Sequence, residues 1–411
     1  MRICFFNRSY WPDQAATGQL LTELAEDLVS RHGCEVTVVA GRPLHAEAGV
    51  RKGRGAVERE TRAGVTILRA HGTRFNPRRF AGRVSNYLSY FASANLARLR
   101  IERPDVVVSL TDPPIIGLTA LWTARRAGAR FVFLCEDVFP EVAMLLEDFR
   151  NQAVNRALDG VNRHLLREAD VVVALGDRMR RRLVEEKGAD PSRISVIHNW
   201  ADCEAIVPGS KENAFARAHG LADKFVVMHS GNVGLSQNLD VLVEAAARLA
   251  SKPRLVVAIV GDGARREALE REAARRRLSN VRFFPYQPKD SLHDSFAAAD
   301  VFVVSLKPGI EGYIVPSKVY GILAAGRPYI AAVDPSCEVA TIAREHACGL
   351  PVPAADPDAL ASAIASLHDD PRTTRAMGLR ARTAALQFDR RISVQSYYDL
   401  FTRIAPLARA A

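Results

Sequence analysis

The chain has 411 residues, of which 48% are hydrophobic and 25% charged, and it carries a formal charge of +10. That length is too great for one ordinary core and fits two α/β domains; the composition excludes disorder and low complexity. The longest apolar stretch, Ile115 to Ala124, stops at Arg125-Arg126, about half of what a membrane-spanning helix needs.

The N-terminus, Met1-Arg2-Ile3-Cys4-Phe5-Phe6, reads as a first strand, with neither the extended apolar region nor the small-residue cleavage site of a signal peptide. Strands are predicted at 2–7, 35–40, 66–70, 106–109, 130–135, 171–174 and 194–197, and helices at 18–31, 79–100, 116–127 and 177–187. Continuous runs such as Val106-Val107-Val108 point to strands buried on both faces, hence a parallel sheet. The six cysteines form no CxxC spacing and read as reduced core residues of a cytosolic protein.

Charge is uneven. Residues 51–100 hold twelve Arg or Lys against two acids, Glu58 and Glu60, so this window nets +10. Such a block favours a polyanionic partner: nucleic acid, anionic lipid headgroups or a phosphate-bearing substrate. Within it Phe80, Val84, Tyr87, Leu88, Phe91 and Leu99 recur at helical spacing, with Arg78, Arg79, Arg83, Arg98 and Arg100 towards the ends. One reading is a face that meets anionic lipid; the other is an amphipathic helix packed on the sheet with solvated arginines. Nucleic acid is set aside because no recognised nucleic-acid motif accompanies the block.

After the strand at 130–135 comes Cys135-Glu136-Asp137-Val138-Phe139-Pro140. Asp137 at a strand's carboxyl end would point into a ligand cleft, or would serve as a loop or capping carboxylate. Residues 199–208 read as the connection to a second half. There strands at 225–229, 254–260, 281–284, 301–305 and 329–332 alternate with helices at 238–250, 265–277, 291–299, 318–325 and 338–346. The expected fold is therefore α/β: two doubly wound, Rossmann-like domains facing across a cleft, with 1–200 as the first and 201–389 as the second.

Three segments of the second half could carry chemistry. Ser230-Gly231-Asn232 leaves one strand and Val260-Gly261-Asp262-Gly263 leaves the next. Glycine permits a tight turn and close approach to phosphate, although each segment also reads as an ordinary strand-to-helix turn. The third runs Glu311-Gly312-Tyr313-Ile314-Val315-Pro316-Ser317-Lys318, with Ser317 placed to cap a helix. Lys318 then occupies a first turn, where the helix dipole disfavours a cation unless an anion binds in front of it; a solvated surface lysine is the alternative. No metal site is expected: Asp356-Pro357-Asp358 reads as a helix start, and the histidines do not cluster at ligand spacing.

These segments carry a resemblance. Tyr10-Trp11-Pro12-Asp13 with Gly18, His198-Asn199-Trp200-Ala201-Asp202, Ser230-Gly231-Asn232, Val260-Gly261-Asp262-Gly263 and the run from Pro316 to Pro328 occur in an order and spacing that resemble retaining glycosyltransferases of the GT-B fold, family four, over nearly the whole chain. Within that family the sequence is most similar to bacterial enzymes that add deoxyamino sugars in O-antigen, capsule and colanic-acid assembly.

The resemblance implies a nucleotide-sugar donor, UDP-linked, and no cofactor. It implies that Ser230, Gly231, Asn232, Gly261, Asp262 and Ser317 border the donor, that Tyr286 and Gln287 meet the base, and that Lys318 offsets phosphate charge as the nucleotide leaves. Asp137 becomes an acceptor-side or catalytic residue. Gly18 and the arginines at 78, 79 and 83 face a polyprenyl-diphosphate-linked or other saccharide acceptor at an anionic membrane surface. The last helix, 390–405, would cross back to the N-terminal domain and form a hinge. Location is expected in the cytoplasm, peripheral on the inner membrane face.

Departures are also visible. The family's two glutamates fall on Tyr313 and Gly321, with Glu311 out of register, and its usual Arg and Lys fall on Asn232 and Gln237. Glu338 then stands in as a ribose contact, or is a plain acid at a helix start. Two rival functions are a UDP-sugar 2-epimerase on the same fold and a non-catalytic binding protein at the membrane.

Overall fold

A strand such as Val106-Val107-Val108-Ser109 has no polar face, so it is stable only with both faces covered. In a computed structural model, which describes residues 1–13, 15–43, 55–75, 80–147, 151–288 and 291–405, all four of those residues are buried in the middle of a sheet. Elements follow in order as β1 (Arg2–Phe6), α1 (Ala16–Ser30), β2 (Glu35–Ala40), β3 (Val57–Arg62), β4 (Val65–Ala70), α2 (Phe80–Ala97), β5 (Val106–Ser109), α3 (Ile116–Ala127), β6 (Arg130–Cys135), α4 (Glu141–Glu147), α5 (Gln152–Glu168), β7 (Val171–Ala174), α6 (Asp177–Glu185) and β8 (Ile194–Val196). The eight strands form one sheet in the order β3-β4-β2-β1-β5-β6-β7-β8. Pairing is parallel throughout except between β3 and β4.

The antiparallel strand β3 was not expected from the sequence. Its residues, Val57-Glu58-Arg59-Glu60-Thr61-Arg62, carry alternating charge rather than an apolar run, because it is an edge strand with one wet face. Charge at an edge also opposes pairing with other chains. Ala63 and Gly64, both at positive φ, close the hairpin, and Glu60 pairs across it with the buried Arg69 at 2.5 Å.

Helix α2 corrects the packing expected of the basic window. Its buried side is Tyr90, Ser93, Ala94 and Ala97, whereas Leu88 is 54% exposed. Leu99, in the single 3-10 turn Arg98–Arg100 that follows, is 61% exposed. Small residues let the helix lie close on the sheet, and the larger leucines of the expected apolar stripe point away from it. Phe91 meets the half-exposed Trp122 of α3 edge to face, 6.2 Å between centroids.

The second sheet is built from α7 (Ala214–Ala218), β9 (Phe225–Ser230), α8 (Asp240–Arg248), β10 (Leu255–Val260), α9 (Arg266–Arg275), β11 (Val281–Phe284), α10 (Leu292–Ala297), β12 (Val301–Ser305), α11 (Lys318–Ala324), β13 (Tyr329–Ala332), α12 (Glu338–Glu345), β14 (Gly349–Val352), α13 (Pro357–Asp369), α14 (Pro371–Ala385) and α15 (Arg390–Ile404). Strand order is β11-β10-β9-β12-β13-β14, all parallel. Val227, Val257, Ile259, Val303 and Ile330 meet Leu242 and Ala246 of α8 and Leu360 and Ile364 of α13 in one buried core. Each such aliphatic side chain stabilises the fold by roughly 1.5–3 kcal/mol.

By contacts the chain divides into two units: Met1–Pro140 with Arg150–His198 and Ser393–Ala411, and Glu141–Phe149 with Asn199–Ile392. Most of α15 therefore belongs to the first unit. Its Phe401 packs edge-on to Phe5 at 6.2 Å, and Tyr398 stacks on His32 at 4.1 Å. Helix α4 belongs to the second, where Lys307 donates to the Leu145 carbonyl at 2.6 Å. Asp356 caps α13, its Oδ1 accepting from the Asp358 and Ala359 amides. Among the described residues, no helix is long and apolar enough to cross a membrane.

Candidate functional site

In open parallel sheets ligands bind beyond the carboxyl ends of the strands, where the strand order reverses. In the second unit that point lies between β9 and β12. β9 ends in His229-Ser230 and turns at Gly231 with φ 119°, while β10 turns at Gly261 with φ 136°. A Cβ on Gly261 would stand 1.9 Å from the Gly231 carbonyl oxygen, so only glycine lets the two turns touch. Gly231 donates its amide to Val260 at 2.9 Å and Val233 donates to Asp262 at 2.8 Å, fastening one turn to the other. The Asp262 carboxylate accepts from the Gly263 amide at 2.7 Å. Ser230 is buried, and the Asn232 and Asp262 side chains are exposed.

Lys318, the first residue of α11, reaches this place. Its Nζ lies 3.1 Å from His229 Nε2 and 3.6 Å from where a Gly231 side chain would begin. Lys318 is half-buried, and burial lowers the pKa of its amine to about 7. His229 is fully buried and stays neutral, held well below its usual range first by burial and then by the neighbouring Lys318 charge. Nε2 also lies 3.3 Å from the Asn232 carbonyl. Sequence reasoning passed over His229. Its signal was a histidine closing an otherwise apolar strand, Phe225-Val226-Val227-Met228, at a strand end that faces a ligand.

The other expected donor residues are spread along the same sheet edge. Tyr286, 44% exposed, and Gln287 follow β11, two strands from β9 on one side; Gln287 donates to the Pro285 carbonyl at 3.0 Å. Glu338 opens α12 after β13, two strands from β9 on the other side, and is buried. Ser317 occupies the expected N-cap position of α11 but makes no capping bond, because its backbone is already helical (φ −63°, ψ −20°). Glu311 is buried within its own loop, accepting from the Gly309 amide at 3.1 Å.

The residues expected on the acceptor side lie in the first unit. Asp137 follows β6, and its amide donates to Thr111 Oγ1 at 3.2 Å. Burial, then the nearby Asp112, raise its carboxyl to about 7. Its neighbour Glu136 rises to about 8, through burial and then Asp137. Asp137 does not cap α4, which begins four residues later. Gly18 lies in the first turn of α1, which starts two residues before its expected boundary; a Cβ there would sit 3.3 Å from the Tyr10 amide. Arg83 is half-buried on α2, and Arg78 and Arg79 lie outside the described residues. Among the described residues, no group of three His, Cys, Asp or Glu is placed to hold a metal ion.

Comparison with known proteins bears on both units. The family described as "Glycosyl transferases group 1" matches residues 211–384, and the "Glycosyl transferase 4-like domain" matches residues 16–200. A probable glycosyltransferase, WbjE, of Pseudomonas aeruginosa is 31% identical over 267 residues, 64% of this chain and 66% of that one. A putative colanic acid biosynthesis glycosyl transferase, WcaI, of Escherichia coli is 26% identical over 79% of this chain and 82% of its own length. Among solved structures, Anabaena Alr3699/HepE in complex with UDP superposes with TM-score 0.72 at 17% identity, covering 98% of this chain and all of that one. WaaG, a glycosyltransferase involved in lipopolysaccharide biosynthesis, gives 0.70 at 17% identity, covering 97% of this chain and 99% of its own.

Proposed function

Because the chain belongs to the GT-B glycosyltransferases of family four, we propose that it moves an N-acetylated deoxyhexosamine from a UDP-sugar to a hydroxyl of a lipid-linked saccharide during surface polysaccharide assembly. The observation that carries this reading is the Lys318 amine beside the Gly231 turn at the switch point of the second sheet. A departing nucleoside diphosphate develops negative charge, and a half-buried ammonium next to a turn built for close backbone approach offsets that charge where water cannot screen it. UDP is chosen because HepE carries UDP in one solved form and UDP-glucose in another. The class of polymer follows the descriptions of WcaI and WaaG.

In the proposed reaction the bond from the anomeric carbon to the β-phosphate oxygen breaks, and that oxygen keeps the electron pair. The acceptor oxygen bonds to the same face of the sugar, so the configuration is retained. The acceptor proton passes to the leaving phosphate. Lys318 faces the diphosphate, with Ser230, Asn232, Gly261 and Asp262 bordering it. Asp137 orients the acceptor, and the work is done at the cytoplasmic membrane face without a metal ion.

Turnover of a UDP-sugar in the presence of a lipid-linked acceptor tests this. Lys318→Ala is expected to lower kcat by about 10²–10³, the loss typical of one preorganised charge-stabilising donor, with the thermal midpoint unchanged. Wild-type turnover in that variant removes Lys318 from the mechanism. Isomerised UDP-sugar formed without acceptor would instead place the chain among epimerases.

A further inference from the structure

The first unit holds a pocket at the carboxyl edge of its own sheet. It is a cavity of about 280 Å³ beyond the carboxyl ends of β1, β2 and β4, closed on one side by α2. That is close to the lower end of the roughly 300–1,000 Å³ usual for ligand clefts. Three arginines line it: Arg8 after β1, Arg42 after β2 and Arg74 after β4. Among the described lining residues there is no carboxylate. Asp112, behind the wall, binds Arg8 Nε at 3.1 Å and fixes that side chain in place. Arg42 donates to His71 Nδ1 at 2.6 Å. His71 is kept neutral by burial and by Arg42 itself, so it holds the guanidinium without cancelling its charge.

The wall is also fixed. Asn86 of α2 accepts from the Phe75 amide and donates to the Phe75 carbonyl, both at 2.9 Å, and its Oδ1 accepts from Thr73 Oγ1 at 2.9 Å. Thr73 donates its amide to Ser89 Oγ at 2.8 Å. Gly41 and Gly72 let the lining segments pack closely: a Cβ on Gly41 would lie 2.8 Å from the Arg8 side chain, and one on Gly72 3.1 Å from the Tyr90 amide. Phe75, at the rim, is largely exposed. Three forked cations around a preformed hollow, with an aromatic ring at its mouth, match a phosphate ester attached to an apolar or sugar body.

We infer that the pocket lined by Arg8, Arg42 and Arg74 is a binding site for the phosphate or diphosphate group of the acceptor. The inference rests on the glycosyl-transfer reading and adds the acceptor's chemistry to it: an anionic ester held through its phosphate, with the apolar or saccharide part leaving past Phe75. This pocket lies in the first unit, whereas the proposed donor groups lie in the second.

Isothermal titration of the whole protein tests the inference, with UDP at saturation throughout so that the donor site is filled. The probes are inorganic pyrophosphate, farnesyl diphosphate and uncharged N-acetylglucosamine. Both diphosphates are expected to bind and the uncharged sugar not to. The double variant Arg42→Gln/Arg74→Gln is expected to weaken each diphosphate at least tenfold while leaving UDP affinity and thermal midpoint unchanged. Farnesyl diphosphate binding more tightly than pyrophosphate assigns the site to a lipid-linked acceptor; equal affinity assigns it to the phosphate group alone. Absence of diphosphate binding, or binding equally strong in the double variant, overturns the inference. UDP affinity is read separately in the same protein, so failure of the donor reading would appear as no UDP binding, whatever the pocket does.

Discussion

Lys318 supplies the most quantitative prediction. With its pKa lowered to about 7 by burial, the amine is half protonated at neutral pH and about one-tenth protonated at pH 8. A diphosphate placed beside Nζ favours the ammonium and returns the pKa towards its ordinary range. UDP binding should then draw in about 0.9 proton at pH 8, about 0.5 at pH 7 and about 0.1 at pH 6. His229, neutral throughout that interval, contributes none. The terminal phosphate of UDP ionises with a pKa of about 6, by analogy with other phosphate esters, so above pH 7 it adds little. The same linkage sets the affinity: each pH unit above 7 costs about 1.4 kcal/mol, or tenfold in Kd, until the bound-state pKa is passed. The assay is calorimetric titration of UDP in two buffers of different ionisation enthalpy at pH 7.0 and 8.0, with Lys318→Met as control. A proton count of zero at pH 8, or one that persists in the Met variant, refutes the argument and places the diphosphate elsewhere.

Two further outcomes are expected. Asp137 has a folded-state pKa near 7 against an ordinary 3.8, so its ionisation opposes folding progressively from pH 4 to pH 7 and fully above 7. The ceiling is about 4 kcal/mol. Asp137→Asn should therefore raise the urea midpoint at pH 8, leave it unchanged at pH 4, and reduce glycosyl transfer; equal stabilisation at both pH values would show that the carboxyl is not held protonated. Gly261→Ala forces a side chain into the Gly231 carbonyl at a backbone angle that alanine rarely adopts. It should destabilise the protein by about 1–3 kcal/mol and weaken UDP binding, whereas an unchanged melting curve would mean the two turns can separate freely.

What was legible in the sequence depended on whether burial was local or tertiary. Strands such as Val171–Ala174 and Leu255–Val260 are apolar because both faces are covered, and they could be read from composition alone. β3 was hidden because an edge strand advertises itself by charge, and β14, Gly349-Leu350-Pro351-Val352, because its proline sits at an edge where a missing N–H is tolerated. The buried side of α2 was missed because it is formed by Tyr90, Ser93, Ala94 and Ala97, which lie outside the stripe of Phe80, Val84, Tyr87, Leu88, Phe91 and Leu99 that the spacing suggests. At the candidate site, the glycine turns and Lys318 were visible in the sequence. His229 and the Arg8–Arg42–Arg74 pocket were not. Histidine 229 and lysine 318 are brought together only by the adjacency of β9 and β12. The three arginines gather from the loops after β1, β2 and β4.

The departures from the wider family become coherent when counted as charge. At four positions the resemblance expects two acids and two bases; this chain has Tyr313, Gly321, Asn232 and Gln237. Removing the acids alone would leave surplus cations, and removing the bases alone would leave carboxylates facing a diphosphate, each a costly arrangement in a partly buried site. Losing both pairs keeps the local charge balanced. Geometry agrees at one position: a Cβ on Gly321 would lie 3.2 Å from the Phe296 ring, in apolar packing where a glutamate would have no partner. Gln237 is itself buried, its side-chain amide donating to Ser236 Oγ at 2.8 Å, while its backbone carbonyl accepts from Ser305 Oγ of β12, so it serves the switch point as a packing residue. Lys318 then stands beside the Gly231 turn, and its neighbour is a neutral imidazole. An amine in that setting gains more from an arriving diphosphate than one already neutralised by an acid, which is why the proton count on UDP binding distinguishes this site from a surface lysine.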